Sequence, residues 1–340
     1  MKHSNIAIFV PHNGCPHCCS FCNQKKITGQ SFQPRREDVI SAAEIAKKSL
    51  GDAAKNAEIA FFGGSFTAID REYMLELLNA ASPYIREGVF AGIRLSTRPD
   101  AIDEEVLSIL KEHGVTSIEL GAQSMDDEVL RANRRGHTAE DVVRASGLIK
   151  NYGFSLGLQM MTGLYMSSDE KDIATAHKLA ELSPDTVRIY PAVVLKDTEL
   201  YELYRKGEYR PQTVEEAVSL CAVLLSFFEE RGISVIRLGL HDSDSLRSNY
   251  AAGAFHPALR ELCESRMMLK RAMELVKKYD IRDEAVFAVS PSSVSRMTGQ
   301  KRCNTEEFAK MGIRLRVVQR SGLGKYDVEW VPGKEEESAT

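Results

Sequence analysis

Four of the seven cysteines fall in one short run, Gly14-Cys15-Pro16-His17-Cys18-Cys19-Ser20-Phe21-Cys22. A secreted disulfide framework spreads its cysteines along a short chain, so this clustering in 340 residues points to metal or redox chemistry instead. Cys15, Cys19 and Cys22 have the spacing C-x3-C-x2-C. Three close thiolates can hold three irons of a 4Fe–4S cube and leave the fourth iron open. Two other arrangements draw on the same residues. One is a zinc knuckle of Cys15, Cys18, Cys22 and His17, although four sulfurs within eight residues crowd a single ion. The other is a redox Cys-x-x-Cys pair, either Cys15 with Cys18 or Cys19 with Cys22. Cys18 also competes with Cys19 by spacing, and the expectation is that it stands by.

An open iron can chelate the amino and carboxylate groups of S-adenosylmethionine (SAM) and pass one electron to its sulfonium. The methionine then leaves a 5′-deoxyadenosyl radical able to take hydrogen from an unactivated carbon. Such a site needs a rigid frame, and the surrounding sequence supplies one. Apolar runs at Ile6–Val10, Ile59–Phe62, Ile93–Leu95, Ser117–Leu120, Ser155–Met160 and Val187–Tyr190 read as buried parallel strands, with a seventh at Ser234–Leu238. Helical periods separate them. Val39, Ala43, Ala46 and Leu50 share one face, as do Val214, Ala217, Cys221, Leu224 and Phe228. Repeated βα units predict a parallel α/β sheet, closed or open. The cysteine loop follows the first strand and so opens at the carboxyl end of the sheet, where active sites lie.

The expected organisation is an α/β barrel over residues 1–250, a small α+β appendage over 251–332 and a polar tail over 333–340. Within the appendage, residues 257–278 read as an amphipathic helix, and Ala285–Val289, Ile313–Val318 and Tyr326–Val331 as short strands. Cys221 and Cys263 fall in helical apolar patterns and read as small core residues. Ile6–Val10 is too short for a signal-peptide core and no apolar run has membrane-spanning length, which predicts a cytoplasmic protein with no membrane partner. A formal net charge of −4 excludes a chain that is basic throughout, so any nucleic-acid contact must come from a local patch.

The motifs together resemble the radical SAM superfamily, with its C-x3-C-x-aromatic-C signature present as Cys15, Cys19, Phe21 and Cys22. Phe61-Phe62-Gly63-Gly64-Ser65-Phe66-Thr67 is similar to the glycine pair that receives the amino group of SAM. Leu95-Ser96-Thr97-Arg98-Pro99-Asp100, Glu119-Leu120-Gly121-Ala122-Gln123-Ser124, Asn133-Arg134-Arg135-Gly136-His137-Thr138 and Arg188-Ile189-Tyr190-Pro191 resemble the radical SAM half of the Elongator catalytic subunit. More distantly they resemble oxygen-independent coproporphyrinogen oxidase. The resemblance covers about residues 6 to 230 and implies a partial (β/α)6 barrel, a 4Fe–4S cluster on Cys15, Cys19 and Cys22, and SAM as the second cofactor. It assigns the cofactor-binding positions to Phe21, Gly63, Gly64, Ser65, Ser96, Gln123, Arg135 and Arg188, with Arg135 facing the methionine carboxylate. Ser96 stands where the coproporphyrinogen oxidases carry a ribose-binding glutamate, and Gln159 where they carry an acid. The roughly 90 residues after the barrel are too few for the acetyltransferase domain of the Elongator subunit, so its acetyl-CoA chemistry is not expected.

The expected function is therefore C–H functionalisation by a radical SAM enzyme. An RNA substrate, tRNA in particular, is favoured by the segment 296–320, where Arg296, Lys301, Arg302, Lys310, Arg314, Arg316 and Arg320 stand against Glu306 and Glu307. A small-molecule or tetrapyrrole substrate is the alternative, and a non-catalytic carrier of cluster or haem a third. The chemistry calls for a reductant partner such as ferredoxin or flavodoxin.

Overall fold

The computed structural model describes residues 4–11, 19–23 and 32–332. Cys15 and Cys18, and the tail 333–340, lie outside the described residues. The described strands begin with β1 (Ser4–Val10), β2 (Ala57–Gly63), β3 (Gly92–Thr97), β4 (Val115–Gln123), β5 (Ser155–Thr162) and β6 (Thr186–Pro191), followed by a short β7 (Val193–Leu195) and then β8 (Ser234–Leu238). All of these except β7 form one parallel sheet of seven strands in the order β1-β2-β3-β4-β5-β6-β8. The sheet is the partial barrel expected, and the Ser234–Leu238 candidate is its last strand. Consecutive strands lie side by side because each crossover carries helix: α1 (Arg36–Leu50), α2 (Arg71–Arg86), α3 (Glu104–Glu112), then α4 (Asp127–Ala132) with α5 (Ala139–Asn151), and α6 (Asp169–Glu181).

Strand alternation divides the sheet chemically. Ile59, Phe61, Ile93, Leu95, Ile118, Leu120, Leu156, Leu158, Val187 and Ile189 are buried. Helix residues such as Leu77, Leu107, Leu110, Val142, Ile149 and Leu179 are buried with them. The helices start where their sequences supply a cap. Asp103 accepts from the Val106 amide, and Thr138 and Asp141 form a reciprocal capping box at α5. The other face of the strands carries Glu58, Arg94, Ser96, Glu119, Gly121, Gln159 and Arg188. Register links them in pairs: Arg94 opposite Ser117, Ser96 opposite Glu119, Gly121 opposite Gln159, and Gln159 opposite Arg188.

After β6 come α7 (Glu199–Arg205), α8 (Val214–Glu229), α9 (Asp244–Asn249) and β9 (Tyr250–Gly253), with β9 antiparallel to β7. Packing groups the described chain into two compact units. The first runs to Thr213 and resumes over Gly232–Phe255, and the second comprises Val214–Arg231 and the chain from His256 onward. Helix α8 thus belongs with the later residues by packing, whereas a single division was expected at residue 250. In the second unit α10 (Leu259–Tyr279) packs with β10 (Glu284–Val289), α11 (Val294–Thr298), α12 (Cys303–Lys310), β11 (Arg314–Gln319) and β12 (Glu329–Trp330). Its core includes Met268, Ala272, Phe287, Val289, Met297 and Phe308. The strand expected over Tyr326–Val331 is confined to Glu329–Trp330, because Asp327 is held in a turn by the Gly324 amide at 2.7 Å. Cys221 and Cys263 are fully buried, and their mutual hydrogen bond, with burial, pushes the Cys263 thiol far above its ordinary value. Both are inert core thiols.

Candidate active site

The turn from Cys19 to Cys22 is anchored from three directions. The Cys22 amide donates to Cys19 O at 3.1 Å and closes the turn. Ser20 is fully buried, with its Oγ donating to Asn133 Oδ1 at 2.7 Å and its amide to Asn133 O at 3.2 Å. Its own carbonyl accepts from the Leu200 amide at 2.8 Å. Asn133, also buried, donates its Nδ2 to Val129 O and Tyr165 O. Phe21 packs against Val129, Met161, Leu164 and Ala192, so the motif's aromatic residue serves here as an apolar anchor. These contacts fix where the two thiols stand without using either sulfur.

Arg135 reaches the same place from the turn after α4. Its backbone is held by the Leu130 carbonyl at 3.0 Å and by Arg98 Nη2, which donates to Arg135 O at 3.0 Å. Asp100 clamps Arg98 in turn through two bonds of 2.8 Å. The Arg135 side chain is 7% exposed; Nη1 donates to Cys19 Sγ at 3.1 Å and Nη2 to Gly121 O at 2.6 Å. Its Nε is buried with no acceptor among the described residues. A buried N–H left unpaired on a charged group costs at least about 1–3 kcal/mol, so an acceptor arriving there is favoured.

Gln123 stands beside it. An ideal Cβ on Gly121 would lie 3.0 Å from Gln123 Nε2 and 3.3 Å from Arg135 Nη2, so a side chain there would push both groups back by a few tenths of an ångström. Gln123 has φ +66° at a register shift between β4 and β5, a left-handed conformation that a non-glycine residue adopts at some cost. Its Oε1 accepts from Gln159 Nε2 at 3.1 Å. Gly63 has φ +116°, and a Cβ there would meet Val10 O at 3.0 Å, so glycine is required where β2 passes the end of β1. The Gly64 amide donates to that same Val10 carbonyl at 2.8 Å.

Two sequence candidates are engaged otherwise. The hydroxyl of Ser65, 1% exposed, lies 2.9 Å from Thr97 Oγ1 and accepts from the Arg98 amide at 3.0 Å. Arg188 pairs with Glu119 through Nε at 2.6 Å and Nη2 at 2.8 Å, while its guanidinium sits 5.4 Å from the Phe62 ring centroid. Burial opposes the Arg188 charge, but Glu119 outweighs it and holds the guanidinium ionised. Ser96 is half-buried on the same face.

Several residues in and around this site carry no role in the sequence reading. Arg94 donates Nε to Glu58 Oε2 at 2.9 Å and Nη1 to Glu119 Oε1 at 3.0 Å, so Glu58, Arg94, Glu119 and Arg188 form an alternating ladder across four strands. Lone charges on otherwise apolar strands were the available signal. His137 places Nε2 3.2 Å from Ala122 O, which requires the proton on Nε2. Burial and the neighbouring Arg135 charge push its pKa down to about 4, so the ring is neutral at pH 7. Asp172 accepts from the Gly163 amide at 2.8 Å and Ser167 Oγ at 2.6 Å, and burial raises its pKa to about 7.

The residues present fit a cluster with SAM. Cys19 and Cys22 sit on a braced turn, a guanidinium lies against the Cys19 sulfur, and an orphan N–H waits for an acceptor. Among the described residues no disulfide involves Cys19. Among the described residues no helix is long and apolar enough to cross a membrane.

Comparison with known proteins agrees with this geometry. The family profile described as "Radical SAM superfamily" matches residues 9–180, and that described as "Radical_SAM C-terminal domain" matches residues 184–269. The tRNA uridine(34) acetyltransferase of Methanocaldococcus jannaschii is 28% identical over 256 residues, covering 63% of this chain and 47% of that protein. Human Elongator complex protein 3 is 30% identical over 240 residues, covering 65% of this chain and 43% of its own length. The chain thus spans about half the length of the curated relatives it matches. Among solved structures, Elp3 of Methanocaldococcus infernus, lacking residues 1–46 of its own chain, superposes with a TM-score of 0.59 at 22% identity. That alignment covers 83% of this chain and 65% of that one, a likeness of fold.

Proposed function

The chain belongs to the radical SAM superfamily, and from that premise we propose that it binds a 4Fe–4S cluster through Cys15, Cys19 and Cys22, together with SAM, and functionalises a C–H bond of an RNA, tRNA in particular. The observation that carries the cofactor reading is the Arg135 side chain, buried against Cys19 Sγ with its Nε unpaired among the described residues. When bound, the cluster supplies the electron that cleaves SAM to the 5′-deoxyadenosyl radical taking hydrogen from the substrate.

The protein's own part is binding and orientation. Arg135 offers its free N–H to the methionine carboxylate, a charge-assisted bond. The bare backbone at Gly63 and Gly64 admits the amino group, and Gln123 and Ser96 line the polar face toward the rest of the nucleoside. Ser65 supports the site through Thr97 and the Arg98 amide. Arg188, neutralised by Glu119, offers its face to Phe62 and keeps the inner wall rigid. Neutral His137, behind Arg135, adds no competing charge. The RNA substrate is supported by the names of the relatives, which act on tRNA uridine 34 or belong to Elongator, and by the cations of the second unit. The match leaves more than half of those relatives uncovered, so their acetyl transfer is not carried over. A ferredoxin- or flavodoxin-like reductant completes the cycle, and the reducing cytoplasm suits the thiols.

Anaerobic reconstitution followed by dithionite and SAM tests the proposal. Wild type is expected to carry about four irons per chain, from the cluster type, and to release 5′-deoxyadenosine. Cys19→Ser should lose the cluster and Cys18→Ser keep it, while Arg135→Ala keeps the cluster but binds SAM about 10- to 100-fold more weakly. A colourless protein with one zinc per chain would sink the cofactor reading. Identical tRNA nucleoside profiles from strains with and without the gene would sink the RNA reading.

A further inference from the structure

The second unit contains a charge cluster that the chemistry of the barrel does not use. Glu264 on α10 is 2% exposed, and its two oxygens meet three cations. Arg260 Nε and Lys325 Nζ each donate to Oε1 at 2.9 Å, Tyr326 Oη donates to Oε1 at 2.7 Å, and Arg296 Nε donates to Oε2. Among the described residues one carboxylate is thus shared by three cations. The cations are not sealed in the core, since Arg260, Arg296 and Lys325 are 29%, 24% and 43% exposed.

We propose that Arg260, Arg296 and Lys325, held in place by Glu264, form a phosphate-binding site whose ligand is a phosphodiester of the RNA substrate. This rests on the RNA reading above. The donor geometry supports a further acceptor. An ammonium has three N–H groups, and Lys325 spends two, on Glu264 and on Tyr326 Oη at 2.6 Å. Arg296 uses Nε on Glu264 and Nη1 on Ser292 O, which leaves Nη2 for an incoming oxygen. The loop beside it, Ser290 to Ser293, leaves β10 at the carboxyl end of its parallel pairing with β11, the end at which open α/β sheets take ligands. Ser292 is exposed there, with its Oγ 3.0 Å from Ser290 Oγ, and Ser293 Oγ ties the loop to the Lys325 carbonyl. A carboxylate that pins three cations at one place orders them in advance, so an anion meets little further loss of side-chain freedom.

The test uses the reconstituted full-length chain and fluorescently labelled tRNA, with affinity measured against NaCl concentration. Lys325 is the most exposed of the three cations, so Lys325→Gln should fold. It is expected to flatten the log–log salt slope by about one unit, with Lys325→Arg restoring it. Arg282→Gln, a substitution at an exposed cation paired with Asp280 elsewhere in the unit, should leave the slope unchanged. A wild type that binds tRNA with a slope indifferent to Lys325→Gln overturns the site while the RNA reading stands. A wild type that does not bind tRNA defeats the RNA reading instead, and inorganic phosphate then decides. Phosphate that raises the unfolding temperature of wild type but not of Lys325→Gln upholds the site as one for free phosphate. No such difference overturns it.

Discussion

Two buried ionic clusters, one in each unit, solve opposite problems. In the barrel, Glu58, Arg94, Glu119 and Arg188 alternate in sign across four strands, and every charge has a partner of the opposite sign within 3.0 Å. The set is neutral and its members share one rigid sheet. In the second unit one carboxylate is shared by three cations, and those cations are partly turned to the surface. The difference teaches how to separate framework from binding surface. A neutral ladder built into one sheet has no net charge to offer a ligand, whereas a hub with unspent donors on partly exposed cations does. Removing one member of a buried set strands the others, and the penalty depends on whether they can reach water.

The largest effect is expected from Glu119→Ala. It strands Arg188 and leaves Arg94 with Glu58 alone, and neither can turn out to solvent from the middle of a strand, so the loss should be about 3–5 kcal/mol. Glu264→Gln should cost less, about 1–3 kcal/mol, because its partly exposed cations can turn to water and the amide still accepts one bond. The single tryptophan separates the two. Trp330 stacks on Tyr279 at 4.6 Å in the second unit, so its fluorescence reads that unit. Urea midpoints should fall more by far-UV circular dichroism than by Trp330 fluorescence in Glu119→Ala, and the reverse in Glu264→Gln. Equal shifts in both signals would dissolve the contrast.

Acidity sharpens the comparison at smaller amplitude. Burial works against the Glu264 charge, but Lys325, Arg296, Tyr326 and Arg260 outweigh it and depress its pKa from 4.5 to about 2. Its contribution is therefore complete above pH 4.5 and is lost only as pH falls through 2. In the barrel, Asp172 is raised from 3.8 to about 7, so the folded state holds its proton more tightly than the unfolded chain does. That contribution is full below about pH 3.8 and disappears as pH rises through 7. His137, lowered from 6.5 to about 4, acts oppositely: its contribution is full above 6.5 and is lost as pH falls toward 4. Between pH 8 and 7 only Asp172 changes strongly. Lowering the pH from 8 to 6 should stabilise wild type relative to Asp172→Asn by roughly 1 kcal/mol, while the Trp330 transition stays level. A parallel response of the two proteins would return Asp172 to ordinary acidity.

What could be read beforehand follows from the range of each interaction. The seven strands of the main sheet are local apolar runs, and Cys15 to Cys22 is a local spacing, so both were legible in the chain. Gln123 and Arg135 were legible only by resemblance, since nothing about a lone glutamine or a helix-end arginine announces a site. The ladder was not legible, because Glu58, Arg94, Glu119 and Arg188 meet only through strand register. The same holds for the hub, which gathers residues 260, 264, 296, 325 and 326 from three separate segments. The strand pair β7–β9 escaped notice because Val193–Leu195 and Tyr250–Gly253 are too short to show a period.

The smallest expected effect tests whether pairing, rather than composition, decides which cations serve RNA. The seven basic residues over 296–320 were expected to act together against two acids, but carboxylates from outside that segment alter the balance. Glu264 takes Arg296, Glu284 takes Arg314 and Glu329 takes Arg320, while Glu307 within the segment takes Lys310. Lys301, Arg302 and Arg316 are exposed and have no carboxylate partner among the described residues. Lys301 and Arg302 also adopt φ +52° and +66°, two consecutive left-handed residues that hold both side chains at one corner. An exposed cation that must release its carboxylate to meet a phosphate gains less on binding than an unpaired one, whereas Arg296 and Lys325 can keep Glu264 and offer a further N–H. The double substitution of Lys301 and Arg302 by Gln should therefore flatten the salt slope of tRNA binding by up to about two units. The same double change at Lys310 and Arg314 should flatten it by clearly less, although both pairs remove two positive charges. Equal slopes for the two double variants would mean that tRNA senses only the charge of the unit as a whole, and the distinction between spent and unspent cations would fail at its most exposed point.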